Sequence, residues 1–423
     1  MKTEDIQILP IFGYGNFGSN CTVIGTSEKS FIFDLGMTFD DQGHKYYEKL
    51  NRSFKKRDLS PTFILLTHAH ADHVSFILDG NFKKLDLPIY CSDFSRRFIE
   101  KRSKKLNLIV LTPLEIIEIE TFKIKPILIE HSCQGTFAFQ VTTPTGTLIT
   151  IIPDHKLETA SIIDNFQIRP NILFLESTNS IEKERIDSED VVLKRLENEY
   201  DLRSKSANNI FITTFSLCTR RIMKIIELAK IDNKKVLIVG KSIQYTLRIL
   251  LDTHRVDYDK LVFLKRAVSV LDHIRQENNL IVICSGHQGQ TNAALPKLLE
   301  AEAISSNDLI LFLSKQIPDP EAIIKRTELL SNILKAKVPF VDNIHCSGHA
   351  AIPELTYTLK KINSELVIPM HGDAKNLGGL VDLINKNKIP SRVRILVNGQ
   401  YITLKTIINE SRSLPTSESL VEI

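Results

Sequence analysis

The stretch Phe63-Ile64-Leu65-Leu66-Thr67-His68-Ala69-His70-Ala71-Asp72-His73 decides how the rest of the chain is read. An apolar run of strand length stops at Thr67 and is followed at once by three histidines and an aspartate in the spacing H-x-H-x-D-H. With 12 His in 423 residues, such a string arises by chance in about one chain per thousand or fewer. Residues two apart at a strand end point the same way, so His68 and His70 can face one cation, while Asp72 and His73 turn the chain toward a second. A plain polar turn has no use for four ligand-type side chains so close together.

Two cations need more ligands, and these are expected from other strand ends. His131 in IEHSCQG, Asp154 in TIIPDHK and His371 in VIPMHGD each stand just past an apolar run, where His or Asp is an unusual interruption. A carboxylate such as Asp154 can bridge two ions. Asp34, closing SFIFD, is placed to fix the tautomer of a ligand histidine.

Working outward, the chain reads as two grammars. From Ile6 to about Glu176, short runs such as CTVIG (Cys21–Gly25), SFIFD (Ser30–Asp34), GTFAFQV (Gly135–Val141) and TLITIIP (Thr147–Pro153) are strands punctuated by Gly, Pro, Asn and Asp. Past Asp187 an acid-led helix start at Ser188-Glu189-Asp190 opens an alternation of helices with the strands NIFIT, KKVLIVG, KLVFL, NLIVICSG and DLILFLS, the pattern of a parallel, doubly wound sheet. A helix, ELVIPM, a second helix, VRILV and YITL follow between Pro353 and Leu404, and the tail after Lys405 reads as unstructured.

Composition is that of a soluble globular protein, 43% hydrophobic and 25% charged, without an apolar run long enough to span a membrane. The start MKTEDIQILP has no apolar leader core, so a cytoplasmic location is expected. Six cysteines without a C-x-x-C pair predict reduced core residues, not a disulfide framework. The net charge is only +4, but Arg203–Arg275 holds 15 Lys/Arg against 6 Asp/Glu, an excess that suits a polyanion partner.

The motifs, taken in order, resemble the metallo-β-lactamase superfamily and, within it, the β-CASP nucleases of the ribonuclease J family. They are the Gly-rich opening Gly13–Asn20, FDLGM, the H-x-H-x-D-H string, His131-Ser132, Asp154-His155-Lys156, Glu176-Ser177-Thr178, Thr213–Arg221, Val239–Ser242, Ser285–Gly289, His345–Ala350 and His371-Gly372-Asp373. The resemblance implies an α/β protein, a metallo-β-lactamase αββα sandwich over 1–200 and 344–423 with an inserted β-CASP domain of parallel α/β type over 201–343. It places the metal ligands on His68, His70, Asp72, His73, His131, Asp154 and His371. It makes Glu176 the acid that orients a neighbour and His349 the general acid. The insertion's sheet is implied to close over the metal site and leave a nucleic-acid cleft. In three places the chain departs from the pattern: Asn16 replaces an acid of the opening, and His131–Thr136 and Gly286–Gln290 differ from the family's corresponding stretches. Recognition of a 5′ phosphate is thereby left open, and the chain ends near where a linker and C-terminal domain would begin.

The expected activity is a metal-dependent ribonuclease, exonuclease from the 5′ end or endonuclease, working by a two-metal hydroxide mechanism with Zn²⁺ or Mn²⁺, Mg²⁺ being a further option. Asp72 would accept the nucleophile's proton and His349 donate one to the leaving oxygen. His345, Ser347, Gly348, His349, Gly286 and Gly289 are the candidate phosphate contacts, and Arg220 and Arg221 the candidate contacts to single-stranded RNA. A homodimer is allowed and a membrane partner is not expected. The alternatives are a hydrolase of a small ester, thioester or lactone on the same fold, for which a long basic insertion has no use, and a nuclease directed at DNA.

Overall fold

The computed structural model describes residues 5–26, 28–37, 41–103, 105–317 and 320–406. The tail expected to be unstructured lies, from 407 onward, outside the described residues. The chain divides into two compact units, one made of residues 1–186 and 348–423 and the other of 187–347.

In the first unit, two seven-stranded sheets carry the site. One runs in the order Ile402–Thr403, Gln7–Phe12, Cys21–Gly25, Ser30–Phe33, Pro61–Leu65, Ile89–Cys91, Leu108–Val110. The other runs Arg392–Val393, Leu366–Met370, Ile172–Glu176, Leu148–Ile152, Phe137–Thr142, Phe122–Leu128, Ile117–Ile119. Most of these strands are apolar on both faces because both faces are covered. Phe31, Phe33, Phe63 and Leu65 of the first sheet interleave with Phe122, Phe139, Phe174 and Ile368 of the second. Phe31 meets Phe122 with ring centroids 5.3 Å apart, and Phe33 meets Phe174 at 5.6 Å. The outer faces are covered by helices, Gly43–Arg57 on one side and Ile352–Ile362 with Ala374–Lys386 on the other.

This layering positions the site through strand direction. Ser30–Phe33 and Pro61–Leu65 are parallel, as are Leu148–Ile152, Ile172–Glu176 and Leu366–Met370. Phe122–Leu128, two antiparallel steps from Leu148–Ile152, runs the same way as that strand. The carboxyl ends of the parallel strands in each sheet therefore share an edge, the place where side chains from different strands can converge. One expected strand shrinks: VRILV pairs only as Arg392–Val393, after which the chain leaves the sheet and buries Leu396 in the core.

The second unit has a six-stranded all-parallel sheet in the order Leu261–Leu264, Val236–Val239, Ile281–Cys284, Ile210–Thr214, Leu309–Leu313, Phe340–Val341. The helix Glu189–Arg203, capped by Ser188, belongs to this unit although it precedes residue 201. Buried Arg221 ties it down through a two-pronged bond to Glu189, at 2.7 and 2.9 Å. All six cysteines are buried, and none is in a disulfide.

Candidate metal centre

Thr67, buried completely, organises the approach. Its hydroxyl and backbone N–H both donate to the Asp34 carboxylate, at 2.8–2.9 Å. With that proton committed, Thr67 Oγ1 accepts from His68 Nδ1 at 3.0 Å, which leaves a lone pair on His68 Nε2. The same logic repeats around the site. His131 Nδ1 donates to the Gly348 carbonyl at 2.8 Å, and His73 Nδ1 to Asp34 Oδ2 at 2.7 Å. His371 Nδ1 donates to Thr178 Oγ1 at 2.8 Å, whose own proton goes to the His371 carbonyl. Four imidazoles are thus turned so that Nε2 faces inward, the arrangement by which outer hydrogen bonds set ligand tautomers.

The inward atoms form two groups that share Asp154, and a third, Asp154, Glu176, His349 and His371, overlaps the second of them. His68, His70, His131 and Asp154 make one, with His70 Nδ1 3.0 Å from both His68 Nε2 and His131 Nε2. Asp72, His73, Asp154 and His371 make the other, with His371 Nε2 2.9 Å from Asp72 Oδ2. Asp154 is buried, and its Oδ1 has no hydrogen-bond partner. A carboxylate oxygen left so in a protein interior is costly unless a cation satisfies it. The donor set, five imidazoles and two carboxylates, suits divalent Zn²⁺ or Mn²⁺.

Charge divides the groups. Burial brings His70 down to about 4 and His131 to about 3, and pushes His68 well below its ordinary value, so this trio stays neutral. Burial also opposes charge on His73 and His371, but there Asp154 and Asp72 outweigh it and raise both. The field at the second group favours positive charge, which a divalent ion would supply in place of protons.

Close packing holds the loops. A Cβ on Gly36 would lie 1.7 Å from the Asp72 carbonyl, and one on Gly348 2.7 Å from His131 Cε1. His371 itself has φ 55°, a left-handed conformation uncommon outside glycine and typical of functional sites.

Beside the ligands, His349 Nδ1 donates to Glu176 Oε2 at 2.7 Å. Burial would discharge this imidazole, yet Glu176 and Asp154 outweigh burial and lift it to about 9. Burial opposes ionisation of Glu176 as well, but His349 and His155 hold it at about 2. Glu176 Oε1 also accepts from the His155 N–H at 2.7 Å.

His345, Ser347, Gly286, Gly289, Arg220 and Arg221 all belong to the second unit. Arg221, expected to contact RNA, is buried and spent on Glu189, the Leu313 carbonyl and His345 Nδ1, so it is a structural cation. Arg220 is exposed and pairs with Asp190. The basic excess is also diluted, because Glu189, Asp190, Glu197, Glu199 and Glu277, which pair with Arg221, Arg220, Lys224, Arg203 and Lys235, lie outside the counted window. Over 187–347 the count is 23 Lys/Arg against 20 Asp/Glu, a net of +3.

Gly289 is a packing glycine, since its Cβ would lie 2.2 Å from the Lys325 carbonyl. Gly286, at φ 111°, sits against Ala293 and Pro296. The helix start after Ser347-Gly348-His349 is a poor phosphate cradle. Its Ala351 and Ile352 N–H groups are taken by Glu354 and the Glu182 carbonyl, and the Gly348 carbonyl faces His131. His287 is buried with neither ring nitrogen hydrogen-bonded. Sequence reading missed Thr67, Thr178, Asn20 and the Gly348 carbonyl. Asn20 Nδ2 lies 3.1 Å from His73 Nε2. The available signal was adjacency, because Thr67 touches the histidine string and Thr178 follows Glu176 by two.

Comparison with known proteins agrees with this geometry. Residues 14–79 match the metallo-beta-lactamase superfamily, residues 207–329 the ribonuclease J beta-CASP domain, and residues 335–395 the Zn-dependent metallo-hydrolase RNA specificity domain. The chain resembles, in three successive stretches, the β-CASP branch of the metallo-β-lactamase superfamily. The chain is 24% identical to ribonuclease J of Pyrococcus abyssi over 95% of its own length and 98% of that protein. It is 27% identical to ribonuclease J of Helicobacter pylori over 87% of its length, spanning 56% of that relative. A solved structure of a protein of unknown function from Enterococcus faecalis shares the fold, with a TM-score of 0.66 at 15% identity over 95% of this chain and all of the other. Among the described residues, no helix is long and apolar enough to cross a membrane.

Proposed function

We propose that the protein is a metal-dependent ribonuclease that hydrolyses RNA phosphodiester bonds, with two divalent ions, Zn²⁺ or Mn²⁺, held in the two groups that share Asp154. The observation that carries this reading is the pair of convergent ligand sets joined by one buried carboxylate with an unpartnered oxygen. The named relatives direct the chemistry toward RNA, and a match over 335–395 to an RNA specificity domain points the same way.

His68, His70, His131 and Asp154 would hold one ion, and Asp72, His73, His371 and Asp154 the other. Bound there, divalent ions supply Lewis acidity toward phosphoryl oxygens and lower the pKa of water. Asp72, kept ionised by His73 and His371 against the effect of burial, is the carboxylate that would accept the attacking water's proton. His349, charged and oriented by Glu176, commits its Nδ1 proton to that acid. The proton it would deliver to the leaving oxygen is therefore the one on Nε2. Asp34, Thr67, Thr178 and the Gly348 carbonyl do no chemistry; they keep four imidazoles turned inward.

The test is purified protein with Mn²⁺ offered 5′-phosphorylated and 5′-hydroxyl single-stranded RNA, the same strand as DNA, and nitrocefin. Hydrolysis of RNA that a chelator abolishes is the expected result. Turnover of nitrocefin or of DNA with RNA left intact would overturn the proposal. The two RNA termini separate entry at a 5′ phosphate from internal cleavage.

A further inference from the structure

A single exposed phenylalanine stands beside the centre. Of 21 Phe in the chain, Phe17 is the one that is exposed among the described residues, at 42%. Its ring lies 6.4 Å from that of His371, centroid to centroid, at an interplanar angle of 73°.

The loop that carries it is built to stay put. Tyr14 and Gly15 pair in parallel with Gly372 and Asp373, and Asn16 bridges Gly372. The Asn398 side chain donates to Asn16 Oδ1 at 2.8 Å, while Ser19 Oγ donates to Asp41 Oδ2 at 2.6 Å. The Gly13 carbonyl accepts from the His371 N–H at 2.9 Å. Phe17 therefore follows a segment paired with the one that presents His371, and its distance from the centre is set by that pairing. A rigid aromatic plane fixed next to a phosphate-reactive site is the element by which proteins seat unpaired bases.

Resting on the ribonuclease reading, we infer that Phe17 is a stacking platform for one base of the RNA, the base of the nucleotide next to the phosphate under attack on the His371 side of the centre. Every base has a π-face, so the contact selects polynucleotides over small phosphodiesters without reading sequence. A purine at that position binds more tightly than a pyrimidine, through stacking strength alone.

The experiment uses short 5′-phosphorylated RNAs, each with one abasic position, cleaved with Mn²⁺ by wild type, Phe17→Ala and Phe17→Trp. A second readout replaces the base at the sensitive position by 2-aminopurine and follows its fluorescence on binding to His349→Ala protein with and without Phe17→Leu. One abasic position should lower kcat/KM of the wild type by about 5- to 100-fold, chiefly through KM. The same position should cost Phe17→Ala little more than the mutation already does, and Phe17→Trp should restore sensitivity. Quenching of 2-aminopurine should depend on the ring. If wild type cleaves RNA while Phe17→Ala matches it, or if abasic penalties are the same in both, the platform is refuted and the ribonuclease reading stands. If wild type neither cleaves nor binds these RNAs, both fall together.

Discussion

His73 Nδ1 donates to Asp34 Oδ2 at 2.7 Å, and both side chains are all but excluded from solvent. Asp34 also receives both Thr67 protons, so one carboxylate sets the orientation of His73 directly and of His68 through Thr67. Asp34→Ala should weaken metal binding by roughly 10- to 100-fold without touching a ligand. Competition against a calibrated chelator measures this, and unchanged affinity would reduce Asp34 to a packing residue.

Asp154 belongs to both ligand groups, whereas His131 belongs to one. Metal analysis of protein purified without chelator should find close to two ions per chain. His131→Ala should retain about one, while Asp154→Ala should fall below one. Equal losses in the two variants would mean that Asp154 does not join the sites.

The sequence made the ligands legible because metal chemistry restricts residue type: His and Asp past apolar strands have few other uses. It also announced the strands, since a sheet buried on both faces leaves continuous apolar runs such as Ile149–Ile152 and Leu366–Met370. The supports were opaque. Thr67 and Thr178 are ordinary residues whose role depends on which acceptor takes the hydroxyl proton, and the Gly348 carbonyl has no side-chain signature at all. Charge counting failed for a related reason. Arg221 reads as a surface cation until the helix Glu189–Arg203 brings Glu189 onto it, and a window of sequence does not contain the partner.

Glu176 holds His349 by one hydrogen bond. Glu176→Gln and His349→Ala should each lower kcat on RNA by about 10²-fold or more, with metal content and KM nearly unchanged. Turnover and metal analysis on the same samples check this. Wild-type kcat in His349→Ala would move the proton donor elsewhere.

Arg221 and Arg220 should now part company. Removing buried Arg221 strands the Glu189 carboxylate, so Arg221→Ala should cost the second unit about 3–5 kcal/mol, read as a lower urea midpoint. Arg220→Glu should leave that midpoint nearly unchanged, because its pair with Asp190 is exposed and worth little. If Arg220→Glu also leaves RNA affinity and its salt dependence at wild-type values, this arginine is part of a solvated face.

His287 supplies a pH dependence of stability in the second unit. Burial, with the Arg326 charge adding to it, brings this imidazole down to about 3, and neither ring nitrogen has a partner. In the unfolded chain the same group takes up a proton near pH 6.5, the ordinary value for histidine. Between those limits the unfolded state binds a proton that the folded state refuses, so stability rises with pH across the window and falls on acidification below about pH 6.5. His287→Leu removes this coupling and the two buried, unpartnered nitrogens. Urea unfolding at pH 7, 6 and 5 should show the variant at least as stable as wild type at pH 7. Its advantage should grow on acidification, by at most about 1.4 kcal/mol per pH unit for one proton. Parallel pH profiles for the two proteins would show that His287 is protonated in the fold, by a partner or by water, and that its burial carries no penalty.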